Sequence, residues 1–383
     1  MQRNNSKLNI FQLIAIALSF LLLLTVFIFF AFTKSPYILS AIKENGDYVR
    51  SASYWHRVDL GVQCDLCPRN CFLTEGTRGQ CKVRINKNNI LYTMVYNQPA
   101  AINIDPIEKK PVFHMLPGTS IFSLSTAGCP LKCTFCQNWT LSQTYPEEIK
   151  NVEIITPEQI VYAALSRHIP SIAYTYGEPV AYYEYMRDIA RIAHAKGLRN
   201  VMVTSGYINE KPLLELLPYF DVIKVDLKGM SKEFYREEVD GYLDSVLNTL
   251  KILRRENKLV EVVNLVVPNR NDSDEDFDKL TKWVHDNLGA DTPVFFSKFH
   301  PDYKLANLPA TPVKTLQRAV EIAKKNGLNF VYLGNVPSVD GENTYCPDDN
   351  TLLIERRGFM VNRINLKDGK CPTCGRELPG IWE

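Results

Sequence analysis

The sequence predicts an α/β fold: a partial (β/α)6 barrel behind an N-terminal transmembrane helix, with small cysteine-rich modules on either side. Three observations point there. From Ile121 onward, short β-branched apolar runs alternate with helical periods, the pattern of successive βα units on a parallel sheet. An uncharged run extends from Ile10 to Phe32. The cysteines cluster before, at the start of, and after the alternating region. At 383 residues the chain is long enough for one barrel with appendages. With 44 Lys plus Arg against 42 Asp plus Glu, the formal charge is +2 and no like-charge block stands out, so nucleic acid is not an expected partner.

In chain order, residues 1–34 are expected to form the anchor, 35–112 a linker and four-cysteine module, 113–340 the barrel, and 341–383 a ribbon-like module. At about 1.5 Å per residue the Ile10 to Phe32 run reaches about 34 Å, enough for a bilayer core of roughly 30 Å. A cleaved signal peptide would have a shorter apolar stretch ending in small residues, whereas this one ends Phe29-Phe30-Ala31-Phe32-Thr33.

Barrel strands are expected at Ile121 to Ser125, Ser171 to Thr175, Asn200 to Thr204, Val222 to Leu227, Val260 to Val267 and Val294 to Phe299, with a seventh candidate at Phe330 to Leu333. Thr156-Pro157-Glu158 reads as a helix start, and Gly197 and Gly327 follow Lys-rich last turns as C-terminal caps. In a TIM-type barrel the chemistry gathers on the loops after the strands.

Directly after the first strand comes Gly128-Cys129-Pro130-Leu131-Lys132-Cys133-Thr134-Phe135-Cys136-Gln137-Asn138-Trp139. A [4Fe-4S] cluster ordinarily takes four thiolates, so Cys129, Cys133 and Cys136 at CxxxCxxC spacing leave one iron without a protein ligand. The competing reading is a three-cysteine zinc site or buried thiols.

This motif resembles that of the radical S-adenosylmethionine (SAM) superfamily. The segments Asp105-Pro106-Ile107-Glu108-Lys109-Lys110-Pro111, His114-Met115-Leu116-Pro117-Gly118, Thr126-Ala127-Gly128-Cys129 and Cys136-Gln137-Asn138-Trp139 look like the AmmeMemoRadiSam radical SAM enzymes, relatives of pyruvate formate-lyase activating enzyme. The similarity runs from about Gln63 to Trp382. It implies a radical SAM barrel, SAM bound at the open iron, and a reductant such as ferredoxin or flavodoxin. Memo-like and AMMECR-like proteins are the partners it suggests.

The later loops fit that reading. In Tyr174-Thr175-Tyr176-Gly177-Glu178-Pro179, the counterpart of the superfamily's glycine-rich SAM motif, Glu178 is expected to accept a hydrogen bond from the SAM ammonium. Gly177 stands where many relatives have Asn or Thr. Ser205, in Thr204-Ser205-Gly206, is a candidate for the SAM ribose or carboxylate, with a simple turn as the alternative. Strand alternation puts Asp226 and Lys228 on one side, either as a structural ion pair or as the Asp-Leu-Lys SAM contact of the activating enzymes. His300 lies where activating enzymes present a His toward SAM, though a lone His at a strand end is also an ordinary loop residue.

Two cysteine sets flank the barrel. Cys64, Cys67, Cys71 and Cys81 offer four thiolates, which suit zinc or a second iron–sulfur cluster; zinc is the expectation carried forward. Cys371-Pro372-Thr373-Cys374 is a zinc-ribbon knuckle, and Cys346 lies upstream, but Asp349 stands where the pattern calls for a fourth cysteine. That leaves a three-Cys, one-Asp site or a lost one.

The function expected is reductive cleavage of SAM to a 5′-deoxyadenosyl radical that takes hydrogen from a substrate. A glycyl-radical activase and a membrane-bound iron–sulfur carrier or metal scaffold are the alternatives. Arg3 and Lys7 before the apolar run are matched by Lys34 and Lys43 after it, so charge barely orients the anchor. The need for reductant and SAM places the catalytic part in the cytoplasm.

Overall fold

The computed structural model describes residues 42–44, 47–336 and 341–383. The chain divides into two units, Met1–Ile42 and Lys43–Glu383. The Ile10 to Phe32 run lies outside the described residues. Among the described residues, no helix is long and apolar enough to cross a membrane.

The central sheet has seven parallel strands in sequential order: β1 (Ser120–Ser125), β2 (Ser171–Tyr174), β3 (Arg199–Thr204), β4 (Val222–Asp226), β5 (Leu259–Val266), β6 (Val294–Lys298) and β7 (Val331–Gly334). Six of these strands are each followed by a helix, matching the six expected βα units, and the seventh candidate, Phe330 to Leu333, is a strand as well. Val331–Gly334 is a full member, pairing in parallel with β6 at Val294↔Val331, though its four residues end in glycine and make a weak sequence signal. An eighth strand, Ala101–Pro106, runs antiparallel to β1 from Ala101↔Ser125 to Pro106↔Ser120. The sheet stays open, with β7 at one edge and Ala101–Pro106 at the other. Near-continuous burial of β1 to β4 accounts for their apolar enrichment, as expected for strands covered on both faces, with Ser123, Asn200 and Lys224 as buried polar exceptions.

Helices fill the crossovers: α1 (Pro157–Leu165), α2 (Tyr183–Ala195), α3 (Glu210–Leu216), α4 (Leu243–Arg255), α5 (Asp274–Leu288) and α6 (Val313–Lys325). At the start of α1, Thr156 Oγ1 accepts from Gln159 N (3.3 Å) while Gln159 Oε1 accepts from Thr156 N (2.7 Å), a reciprocal cap. Gly197 and Gly327 follow α2 and α6 at φ +79° and +87°, the left-handed turns that end these helices.

The C-terminal module is a three-stranded antiparallel sheet, Thr344–Tyr345, Leu352–Arg357 and Met360–Ile364. It docks through buried polar contacts. Arg356, 1% exposed, donates to Phe113 O (2.8 Å) and Thr344 Oγ1 (2.7 Å). Glu261 of β5 accepts from Phe113 N and His114 N (2.9 and 3.0 Å). His114 Nδ1 donates to Pro379 O (2.6 Å), which leaves Nε2 to accept from Tyr332 Oη (2.8 Å). Burial pushes the His114 imidazole down to about 4, in keeping with that neutral tautomer. Ile381 N donates to His114 O (2.8 Å) and Leu116 N to Ile381 O (2.7 Å). Thus two motifs remote in sequence, His114 to Gly118 and Leu378 to Trp382, are each other's binding partners.

Candidate active site

The loops at the C-terminal ends of the strands surround a cavity of about 520 Å³. Cys129, Cys133 and Cys136 line it after β1, Glu178 after β2, Ser205 after β3, and Asp226 with Lys228 at the end of β4. Seven of the predicted site residues therefore share one space. The cysteine loop is held by its backbone: Gly128 N donates to Leu141 O (3.0 Å), Lys132 N to Val239 O (3.0 Å) and Thr134 N to Glu238 O (2.8 Å). Gly128 has φ +97°, and a Cβ there would meet Val83 Cγ1 at 2.5 Å and Cys81 O at 2.6 Å, so only glycine fits.

Glu178 is 5% exposed. Its Oε1 accepts from Thr204 Oγ1 (2.5 Å) and Val180 N (3.4 Å); its Oε2 accepts from Ser205 N (2.8 Å) and Ser205 Oγ. A carboxylate has about four acceptor positions, and the protein fills them. The side chain thereby ties the second loop to the third while lining the cavity in which the SAM ammonium is expected. Burial raises its carboxyl, and the Ser205 and Thr204 donors partly offset that.

Asp226 pairs with two lysines, Lys224 and Lys228 (3.3 Å to the latter). Burial opposes its charge, but the two ammonium groups outweigh it and hold the carboxyl low. Burial likewise pulls Lys228 down, yet Asp226 and Cys133 outweigh this and the ammonium is raised. Lys224 lines the cavity too and was missed, although the period of two that joined Asp226 to Lys228 extends back to it.

Another missed group is built on Asp105, from the antiparallel edge strand, which accepts from Lys109 (2.9 Å), Lys110 and Tyr176. Lys109, Lys110 and Tyr176 line the cavity, and Tyr176 holds φ +62°, an unusual conformation for an aromatic residue. Burial raises the Tyr176 phenol to about 12, with Asp105 adding to it. His300 stands apart. It is exposed and does not line the cavity, reaching it only through Gln137, whose Nε2 lies 2.7 Å from His300 Nδ1.

Of the flanking sets, Cys346, Asp349, Cys371 and Cys374 are the one group of three or more His, Cys, Asp or Glu ligand atoms, among the described residues, that all lie within 4.8 Å of one another. Cys346 Sγ is 3.5 Å from Cys374 Sγ, and Asp349 Oδ2 is 3.5 Å from Cys371 Sγ. Asp349 thus takes the fourth place where the pattern calls for cysteine. Cys64, Cys67, Cys71 and Cys81 line a separate small cavity whose walls include Pro130 and Val180.

A family model described as the radical SAM superfamily matches residues 123–284, the stretch from β1 through α5. An uncharacterised protein of Methanocaldococcus jannaschii is 45% identical over 86% of this chain and 99% of its own. The chain belongs to the radical SAM superfamily. Pyruvate formate-lyase 1-activating enzyme of Escherichia coli (strain K12) is 24% identical over 54% of this chain and 89% of its own. A domain of a pyruvate-formate lyase-activating enzyme from Bacteroides vulgatus shows 13% identity and a TM-score of 0.39, covering 43% of this chain and 98% of that one. As a radical SAM enzyme, the chain implies a [4Fe-4S] cluster and SAM. The residues fit both: three thiols open on one cavity, and no three of their sulfurs crowd within 4.8 Å, as suits ligands bound to different irons.

Proposed function

We propose that the cavity binds SAM beside a cluster held by Cys129, Cys133 and Cys136, and directs the resulting radical at a C–H bond of a bound substrate. The convergence of those three thiols with the loops of β2, β3 and β4 on a single cavity carries this reading. When bound, the cluster supplies the electron that cleaves SAM to methionine and a 5′-deoxyadenosyl radical. The chain's own residues do the rest. Glu178 fixes the β2 and β3 loops against each other, Lys228 and Lys224 flank Asp226 as cations suited to a carboxylate, and Val263 and Leu265 give the cavity an apolar wall that limits water near a radical. Such enzymes draw electrons from a reductant such as flavodoxin or ferredoxin.

The finer assignment is the AmmeMemoRadiSam type, with Memo-like and AMMECR-like proteins as partners, supported by the motifs His114 to Gly118 and Leu378 to Trp382 and by their mutual contact. A glycyl-radical activase is the second reading, favoured by the activating enzymes among the relatives. A carrier or scaffold would have no use for a cavity of about 520 Å³ beside its thiols. The ribbon module is read as a zinc site of Cys346, Asp349, Cys371 and Cys374. We also read Ile10 to Phe32 as a single membrane anchor with the catalytic part cytoplasmic, on the strength of its uncharged length; release of the full chain from membranes by alkaline carbonate would reject it.

The test is anaerobic. The full chain, reconstituted with iron and sulfide, is given SAM and dithionite and assayed for 5′-deoxyadenosine, with Cys129→Ala, Cys133→Ala and Cys136→Ala as controls. Nucleoside from the parent and none from the controls is the expected result; equal yields from parent and controls would overturn the assignment.

A further inference from the structure

The two flanking cysteine sets differ in a way their spacing did not disclose. One zinc ion draws its thiolates to about 3.8 Å from one another, since each Zn–S bond is about 2.3 Å in a tetrahedron. The C-terminal set has that geometry, with Cys346 and Cys374 sulfurs 3.5 Å apart. No three ligand atoms of Cys64, Cys67, Cys71 and Cys81 lie within 4.8 Å of one another, and Cys129, Cys133 and Cys136 share this wider arrangement. Thiolates on different irons of one cluster stand farther apart than thiolates on one ion.

The space among the four sulfurs is built rather than left over. All four line the same small cavity. Backbone N–H groups of Arg69, Gln80 and Val83 hydrogen-bond the sulfurs of Cys67, Cys71 and Cys81. A Cβ on Gly79 would stand 3.6 Å from Cys81 Sγ and 3.8 Å from Cys71 Sγ, so the backbone itself closes that side. Arg84, 2% exposed, places Nη1 3.9 Å from Cys64 Sγ while Nη2 donates to Glu184 Oε1 (2.5 Å), a buried cation facing a site that becomes anionic when loaded.

The position adds the function. Pro130, next to Cys129, and Val180, two residues after Glu178, form walls of this cavity, and Gly128 packs on Cys81 O and Val83. The second site therefore abuts the loop of the first.

We propose that Cys64, Cys67, Cys71 and Cys81 hold a second [4Fe-4S] cluster, fully ligated by protein, that passes single electrons from the external reductant to the cluster site at Cys129, Cys133 and Cys136. This replaces the zinc expected from spacing. The relay rests on the radical SAM reading; the cluster itself does not. In each transfer the second cluster loses one electron and the first gains it, and a reduced flavodoxin or ferredoxin restores the second. With four thiolates it has no iron open to SAM.

The experiment uses the full chain, reconstituted anaerobically, with iron, sulfide and zinc analysis and low-temperature EPR. The variant Cys129→Ala/Cys133→Ala/Cys136→Ala is expected to keep about half the iron of the parent, about four iron and four sulfide per chain, with a reduced signal that SAM does not alter. The variant Cys67→Ala/Cys71→Ala is expected to lose that half and keep a SAM-sensitive signal. Should either variant fail to fold, the parent alone decides: about eight irons and two signals, one of them SAM-sensitive, support the proposal. About four irons in the parent, with one zinc lost on Cys67→Ala/Cys71→Ala, would overturn it. A SAM-insensitive signal in a parent whose other signal ignores SAM would uphold the second cluster while removing the radical SAM reading. For the relay, freeze-quenching after mixing with reduced flavodoxin should show the SAM-insensitive signal first; the reverse order refutes it.

Discussion

Replacing Glu178 separates a loop-holding role from a ligand-binding one. The carboxylate of Glu178, 5% exposed, gives Thr204 Oγ1, Ser205 Oγ and Ser205 N their acceptors. Glu178→Ala strands the Ser205 N–H, which cannot turn, while the two hydroxyls can rotate toward the cavity. A buried donor left unpaired costs about 1 to 3 kcal/mol, and loss of the hydroxyl bonds adds to it, while release of the desolvated charge offsets part. The net is about 2 to 3 kcal/mol, or about 5 °C in Tm for a unit of this size. Glu178→Gln keeps an oxygen for Ser205 N and turns its amide toward Thr204 Oγ1, so it costs about 1 kcal/mol and about 2 °C. Because the protein fills the acceptor positions, SAM affinity in Glu178→Gln should stay within about threefold of the parent, by equilibrium dialysis on the cluster-loaded chain. A charge-assisted bond to the SAM ammonium is worth about 1.5 to 3 kcal/mol, so a 10- to 100-fold loss of affinity, by that arithmetic roughly, with Tm unchanged would refute the loop-holding account.

Glu261 predicts a pH effect. Burial raises its carboxyl from 4.5 to about 7, against the pull of the Phe113 and His114 N–H groups and Arg356. The folded chain therefore holds a proton that the unfolded chain has lost, so the contribution is full below 4.5 and disappears as pH rises through 7, about 3 kcal/mol in all. Glu261→Gln should lose less Tm than the parent between pH 5 and 8; parallel curves would reject this. His114, lowered to about 4, works the other way, contributing above its ordinary 6.5 and losing that contribution as pH falls to 4, and it is common to both proteins. At the ribbon, Asp349→Ala should weaken zinc retention at least about 10-fold against a chelator and Asp349→Cys should strengthen it. Equal zinc content in parent and Asp349→Ala after dialysis would show that the carboxylate is no ligand.

What the sequence disclosed was what local pattern can disclose. The βα alternation located β1 to β6 and the candidate for β7, and strand period aligned Asp226 with Lys228. Lys224 obeys the same period, two positions before Asp226 within β4. Asp105 and Tyr176 were beyond it: their pairing joins an antiparallel edge strand to the β2 loop across 71 positions, and no local period reports such a contact. His300 shows the converse, a residue placed by resemblance whose ring lies outside the cavity and touches it only through Gln137. Cysteine spacing found all the thiol sets, but the distances between sulfurs, which separate one ion from a cluster, are set by how the loops fold over Gly79 and Gly128.

Phe359, at the tip of the hairpin in the C-terminal module, is part of the cavity's lining. That module is fastened by contacts spanning 243 and 265 positions, Arg356 to Phe113 and His114 to Pro379. Contacts so remote close late in folding, because the chain must first give up the entropy of a very long loop. Weakening the Arg356 to Phe113 and His114 to Pro379 contacts is therefore expected to loosen the hairpin that carries Phe359 at the cavity while the parallel strands stay paired. Access to that side of the cavity then depends on residues far from the thiols, Arg356 and His114 among them.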